Sequence, residues 1–127
     1  MKILVVDDFA TMRRIIKNLL RDLGFKNTKE ADDGVTALPL LTAGEYELLI
    51  TDLTMPKMSG IELVKALRKD AKLKHLPVLL VTPDAKRKAL VEAAGAGIDG
   101  YVVKPFTAEI LNNRIEKIFT RLETRTG

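Results

Sequence analysis

Five times along its 127 residues, an extended run gives way to a segment of helical period. That alternation leaves few folds available. Ile3-Leu4-Val5-Val6, Leu48-Leu49-Ile50-Thr51, Val78-Leu79-Leu80-Val81 and Tyr101-Val102-Val103 read as buried strands. A fifth run at 28–31 is short and polar, which places it at a sheet edge. Strands that alternate with helices build βαβ units around a parallel sheet, and right-handed crossovers prune the topology further. The expected fold is α/β: a doubly wound, five-stranded parallel sheet of order 2-1-3-4-5 with five helices. Strands are predicted at 2–7, 28–31, 47–52, 78–81 and 100–103. Helices are predicted at 10–23, after strand 2 to Ala43, from Ser59, at 84–94 and from Thr107.

Local chemistry agrees with most of these boundaries. Met12, Ile15, Ile16, Leu19, Leu20 and Leu23 form one face of helix 1, and Gly24 suits the position after its end. Gly44 stops helix 2. Ser59-Gly60-Ile61-Glu62 is a capping box that opens helix 3 and buries Ile61, Val64 and Leu67. Leu111, Ile115, Ile118 and Leu122 form the stripe of helix 5, and the polar tail at 122–127 is expected to fray. Two places conflict. Pro39 falls inside helix 2, where an interior proline costs about 3 kcal/mol, so a kink or a start near Leu38 is expected. Gly95 and Gly97 weaken the end of helix 4, which should fray early.

Composition narrows the function classes. One domain spanning 1–127, with 46% hydrophobic and 30% charged residues, is ordinary for a soluble protein. No cysteine is present, which excludes disulfides, thiolate zinc and a thiol nucleophile. No apolar run suits a membrane span or signal peptide, so a cytoplasmic monomer is expected. A net charge of +4 raises the question of nucleic acid, but the cations mix with acids and aromatics are only 5%. Lys86-Arg87-Lys88 and the Arg114, Lys117, Arg121, Arg125 series suit an acidic peptide better.

The residues that directly follow the apolar runs carry the chemistry. They are Asp7 and Asp8, Asp52, Thr82 and Lys104. In a doubly wound sheet, ligands sit past the carboxyl ends of strands where the strand order reverses. The reversal here lies between strands 1 and 3, which carry the acids. Clustered carboxylates call for a cation, and oxygen donors without His or Cys favour Mg2+. Asp8 and Asp52 are expected as direct ligands, Asp7 through water, with the backbone carbonyl of Thr54 as a further donor. A metal-bound Asp52 can attack phosphorus to form an acyl phosphate, with Lys104 neutralising charge and Thr82 donating a hydrogen bond. Plainer readings stand beside these. Asp7-Asp8 can cap helix 1, and Thr82-Pro83-Asp84 reads as N-cap, first-position proline and first-turn acid. Lys104 can be a solvated turn lysine, Tyr101 a half-buried strand aromatic, and His75 a surface loop residue. A phosphate-cradling hydroxyl-rich loop and a Gly-x-x-x-x-Gly-Lys-Ser/Thr loop are both absent.

The chain resembles the bacterial response-regulator receiver domains, and most strongly their chemotaxis branch. The likeness rests on Val5-Val6-Asp7-Asp8-Phe9, Thr11-Met12-Arg13-Arg14, Asp33-Gly34, Met55-Pro56, Gly60, Leu76-Pro77-Val78-Leu79 and Gly100-Tyr101-Val102-Val103-Lys104-Pro105-Phe106. It covers essentially the whole chain and implies a flavodoxin-like fold. By that resemblance Asp52 is the phospho-acceptor, served by a sensor histidine kinase of the chemotaxis type or by acetyl phosphate. Asp7, Asp8 and Asp52 hold Mg2+. Thr82 and Tyr101 couple phosphorylation to the face of helix 4, strand 5 and helix 5, and the Lys104–Pro105 bond is cis. Lys86, Tyr101 and Arg114 belong to a signalling face that binds the N-terminal segment of a flagellar motor switch protein. A phosphatase of the CheZ type is a further partner. No output domain is expected after helix 5, and neither nucleic acid nor membrane is a partner.

Several residues depart from the chemotaxis pattern. Leu53 stands where a Trp is usual, Thr54 replaces an Asn, Ser59 replaces an acid, and Pro83 follows the switch Thr. Pro83 is expected to stiffen the loop that must move, with Gly95 partly restoring mobility. Three functions follow: a phosphorylation switch that works by binding, catalysing only its own phosphoryl transfer and slow autodephosphorylation; a phosphate sink or non-motor receiver of the same chemistry; and a small Mg2+-dependent aspartyl phosphatase. The last wants a second Asp two residues after the nucleophile, where this chain has Thr54.

Overall fold

The computed structural model describes residues 1–83 and 86–126, with the backbone alone at 124–126. Its elements are β1 (Lys2–Val6), α1 (Ala10–Asp22), β2 (Asn27–Ala31), α2 (Gly34–Ala43), β3 (Leu48–Asp52), α3 (Gly60–Lys69), β4 (Val78–Thr82), α4 (Arg87–Ala96), β5 (Gly100–Val103) and α5 (Ala108–Thr126). The strands form one sheet of order β2-β1-β3-β4-β5. Every neighbouring pair is parallel. The polar β2 is at an edge, as its composition implied.

Alternation along the strands splits the core into two layers. Ile3, Val5, Leu48, Ile50, Leu79, Val81 and Val102 pack under α1 and α5, against Ile16, Leu20, Leu111, Ile115 and Ile118. Leu4, Val6, Leu49, Val78 and Leu80 face the other way, towards Ala37, Leu41, Ile61, Leu63, Val64, Leu67, Ala93 and Ala96 of α2, α3 and α4. β3 and β4 are buried along their whole length, so neither shows an alternating pattern in sequence.

The structure differs from local expectations in α1, α2 and α4. Ile15 is 45% exposed and does not belong to the buried face of α1. α2 begins at Gly34, not near Leu38, because the Asp33 carboxylate caps it by accepting the Thr36 N–H at 2.8 Å. The helix runs through Pro39, whose missing N–H leaves the carbonyl of Val35 without its helical donor, at a residue that is 50% exposed. α4 starts at Arg87, with Lys86 at its N-cap. Asp84, where that helix was expected to open, lies outside the described residues. Gly97 lies beyond the last helical residue, at the C-cap with φ +106°, a conformation that glycine adopts without strain. The backbone of α5 continues past Leu122 to Thr126.

Candidate functional site

The register brings the ends of the central strands to one level. Val6 pairs with Thr51, Asp52 with Val81, and Thr82 with Val103. The residues that leave those ends therefore meet. Asp7, Asp8 and Asp52 each offer a carboxylate oxygen within 4.8 Å of the others. Asp7 is fully buried, Asp52 is 5% exposed, and Asp8 is open to solvent. Lys104 reaches across from the end of β5, and its Nζ lies 3.2 Å from Asp7 Oδ2 and 3.2 Å from Asp52 Oδ1. Its own backbone N–H donates to the Thr82 carbonyl at 2.8 Å, which fixes the start of the β5–α5 loop against β4. The Lys104–Pro105 peptide is cis.

The charge balance is uneven. Three carboxylates cluster, two of them pair with one ammonium, and Asp7 Oδ1 is further engaged by the Phe9 N–H at 2.9 Å. Asp52 Oδ1 accepts from the Leu53 N–H at 3.0 Å and from Lys104. Asp52 Oδ2 has no hydrogen bond among the described residues. Burial pushes the Asp52 carboxyl above its ordinary range. Lys104 pulls it back, and the neighbouring Asp7 adds to the rise. A hard divalent cation is what such a set lacks: all-oxygen donors, close together, with negative charge in excess. The residues present therefore fit Mg2+.

The two capping readings fare differently. The N-cap of α1 is Phe9, not Asp7 or Asp8, yet Asp7 Oδ1 accepts the Phe9 N–H at 2.9 Å and so also serves that helix end. Thr82 is the last residue of β4 and fully buried, five residues before α4 begins, so it is not the cap of α4. Thr54 is exposed in the β3–α3 loop. That loop also holds Lys57 at φ +67°, a left-handed conformation costly for a side chain with a Cβ.

Tyr101 is 39% exposed on β5. It lines a groove of about 230 Å³ together with Arg114 and Lys117 of α5. Lys86 is exposed at the start of α4 and does not line that groove. His75 is on the surface, as expected. The side chain of Arg125 lies outside the described residues.

Two residues that the sequence reading left without a role shape the site. Gly60 sits where an added Cβ would lie 2.2 Å from the Asp52 carbonyl oxygen. Only glycine lets α3 approach the peptide of Asp52 so closely. Its place just inside a capping box was the available signal. Arg13 donates from Nη1 to the Asp7 carbonyl at 2.6 Å and from Nε to Glu30 Oε1 at 2.9 Å, tying α1 and β2 to the acid-bearing loop. Nothing in its local spacing announces this.

Among the described residues, no helix is long and apolar enough to cross a membrane. Residues 3–116 match the family model of the response regulator receiver domain. The chain is 66% identical over 122 residues to the chemotaxis protein CheY of Pseudomonas aeruginosa, covering 96% of this chain and 98% of that protein. It is 62% identical over 122 residues to the chemotaxis protein CheY-3 of Vibrio cholerae, covering 96% of this chain and 94% of that one. The solved structure of CheY4 from Vibrio cholerae superposes with a TM-score of 0.86 at 32% identity, covering 92% of this chain and 97% of that one.

Proposed function

The chain belongs to the response regulator receiver domain family, as a receiver of the CheY-type chemotaxis regulators, and from that premise we propose that it is a switch phosphorylated on Asp52. The observation that carries this is the arrangement of Asp52. One oxygen is held by Leu53 and Lys104 while the other carries no hydrogen bond among the described residues, inside a cluster short of positive charge.

The chemistry proceeds from these side chains. The free carboxylate oxygen of Asp52 attacks phosphorus of a phosphohistidine on a sensor kinase, or of acetyl phosphate. The new O–P bond forms as the donor's N–P or O–P bond breaks, and the donor leaves with its electron pair. Asp7, Asp8 and Asp52, with the Thr54 carbonyl, would hold Mg2+, which supplies charge neutralisation on the transferring group. Lys104 is already placed between Asp7 and Asp52 and keeps its ammonium against the acceptor throughout. The buried Thr82 hydroxyl, one residue from the turn into α4, donates to the phosphoryl oxygen. Its movement couples the site to Tyr101 and to the face of α4, β5 and α5. Lys86, Tyr101 and Arg114 on that face bind the N-terminal segment of a flagellar motor switch protein, and a CheZ-type phosphatase removes the phosphoryl group.

Intact mass after incubation with acetyl phosphate and Mg2+ tests the proposal. The expected result is one added phosphoryl group, lost with EDTA and absent in Asp52→Asn. Phosphorylation that persists in Asp52→Asn overturns it. Titration with the motor-switch peptide, with and without phosphorylation, separates a motor ligand from a phosphate sink.

A further inference from the structure

The edge of the sheet farthest from Tyr101 carries a second concentration of charge. α1 and β2 enclose a groove of about 550 Å³. Arg14, Lys17 and Arg21 line it from successive turns of α1, and Lys26 lines it from the α1–β2 loop. The one carboxylate there, Glu30, is held by Lys17 at 2.7 Å and by Arg13 at 2.9 Å. Arg14 and Lys26 are exposed and have no ion pair among the described residues. The groove thus gathers three net positive charges, while the whole chain carries +4. The side chains that line it are predominantly polar, unlike the apolar lining of most small-molecule sites.

The backbone next to it is equally unfinished. β2 pairs with β1 on one side and, among the described residues, has no strand on the other. Such an edge presents open N–H and C=O groups to any extended chain. Thr28 and Glu30 alternate onto the groove side, whereas Lys29 does not line the groove. A second copy of this chain is disfavoured as the occupant, because its own β2 edge brings the same cations. Nucleic acid is disfavoured too. Phe25 is the one aromatic lining the groove, and its ring is packed against the core under α1 rather than offered as a stacking face.

We propose that the α1–β2 groove is a second docking surface, which takes an extended acidic segment of a partner protein along the free edge of β2. Backbone hydrogen bonds to β2 supply register, and acidic side chains on alternate positions meet Arg14, Lys17, Arg21 and Lys26. This surface is separate from the face of α4, β5 and α5, and its occupation does not require phosphorylation.

The test uses a fluorescein-labelled decapeptide alternating glutamate with valine, the same peptide with lysine in place of glutamate, and ATP as a small polyanion. Binding is read by anisotropy, and location by amide chemical shifts of the 15N-labelled chain. The glutamate peptide should shift residues of α1 and β2. The double variant Arg14→Glu/Lys26→Glu should weaken it roughly tenfold or more, as reversing two facing charges does. The control Arg87→Glu/Lys88→Glu should change it less than about twofold. Asp52→Asn should bind like the parent. Both charge-reversed pairs are on exposed residues, and their own amide spectra check the fold. The proposal fails if the glutamate peptide does not bind, if its shifts fall on α4 or α5, or if both double variants weaken it equally. Shifts in the groove by ATP alone also overturn it, in favour of a phosphorylated small molecule.

Discussion

The two ends of the sheet both hold ionised side chains away from bulk water, yet they are built on opposite principles. At the amino end, Arg68 of α3 donates twice to the Gly97 carbonyl, at 3.0 and 2.8 Å, and to the carbonyls of Lys74 and Leu76 at 3.1 and 2.7 Å. It also pairs with Asp99 at 3.0 Å, and the same Asp99 oxygen accepts the Val78 N–H at 2.8 Å. One cation meets one carboxylate, and the guanidinium closes the turns before β4 and β5. At the carboxyl end, three carboxylates cluster but only Asp7 and Asp52 pair with the one ammonium, and an oxygen of Asp52 has no protein partner among the described residues. A closed network fixes structure. A network left short of positive charge stores the means to bind a cation and react.

That contrast can be broken experimentally, and the amino end should show the largest effect. Arg68→Ala strands several carbonyls and leaves Asp99 half-buried without its cation. Stability should fall by about 3–4 kcal/mol, read by urea titration. A loss below about 1 kcal/mol would mean that the amino end is no more closed than the other. Next is Gly60→Ala, whose new methyl meets the Asp52 carbonyl. A cost of about 2–3 kcal/mol is expected, together with slower phosphorylation by acetyl phosphate. Normal stability and rate would show that α3 shifts freely away from the site.

At the carboxyl end, substitution should stabilise. The raised Asp52 carboxyl means that the folded state holds its proton more tightly than the unfolded chain does. In EDTA, stability from this group is full below the ordinary carboxylate range and is lost as pH rises through the raised value. Asp52→Asn should remove that fall and raise stability at neutral pH by about 1–2 kcal/mol, measured by melting across a pH series. A lower melting temperature in the variant would sink the view that this end is electrostatically strained. The smallest effect belongs to Lys57→Gly. Relief of a left-handed backbone, offset by chain entropy, should add about 0.5 kcal/mol without altering phosphorylation.

The two ends were not equally legible in the sequence. The acids, Thr82 and Lys104 directly follow apolar runs, so strand periodicity alone carried them to one edge, and the strand order followed from the polarity of β2. The closed end left no such trace. Arg68 looks like any helix-end cation, and its partners lie far along the chain and are mostly backbone carbonyls, which no side-chain pattern encodes. The misplaced opening of α4 has a related cause. Thr82-Pro83-Asp84 satisfies the local rules for a helix start, but β4 claims Thr82 for its ladder with β5, and sheet pairing overrides the cap. Ile15 failed for a different reason, because a wide apolar stripe on a helix can exceed the width its neighbours cover.

Arg13 makes the acid-bearing loop and the outer strand mechanically one piece. A single rigid guanidinium spans from the Asp7 carbonyl to Glu30, like a strut between a wall and its lintel. A change made at β2, even one that touches only solvent, is therefore transmitted to the main chain that presents the first carboxylate. Variation along that rim is an adjustment screw on the geometry of the carboxylate cluster, reached without altering any residue inside it.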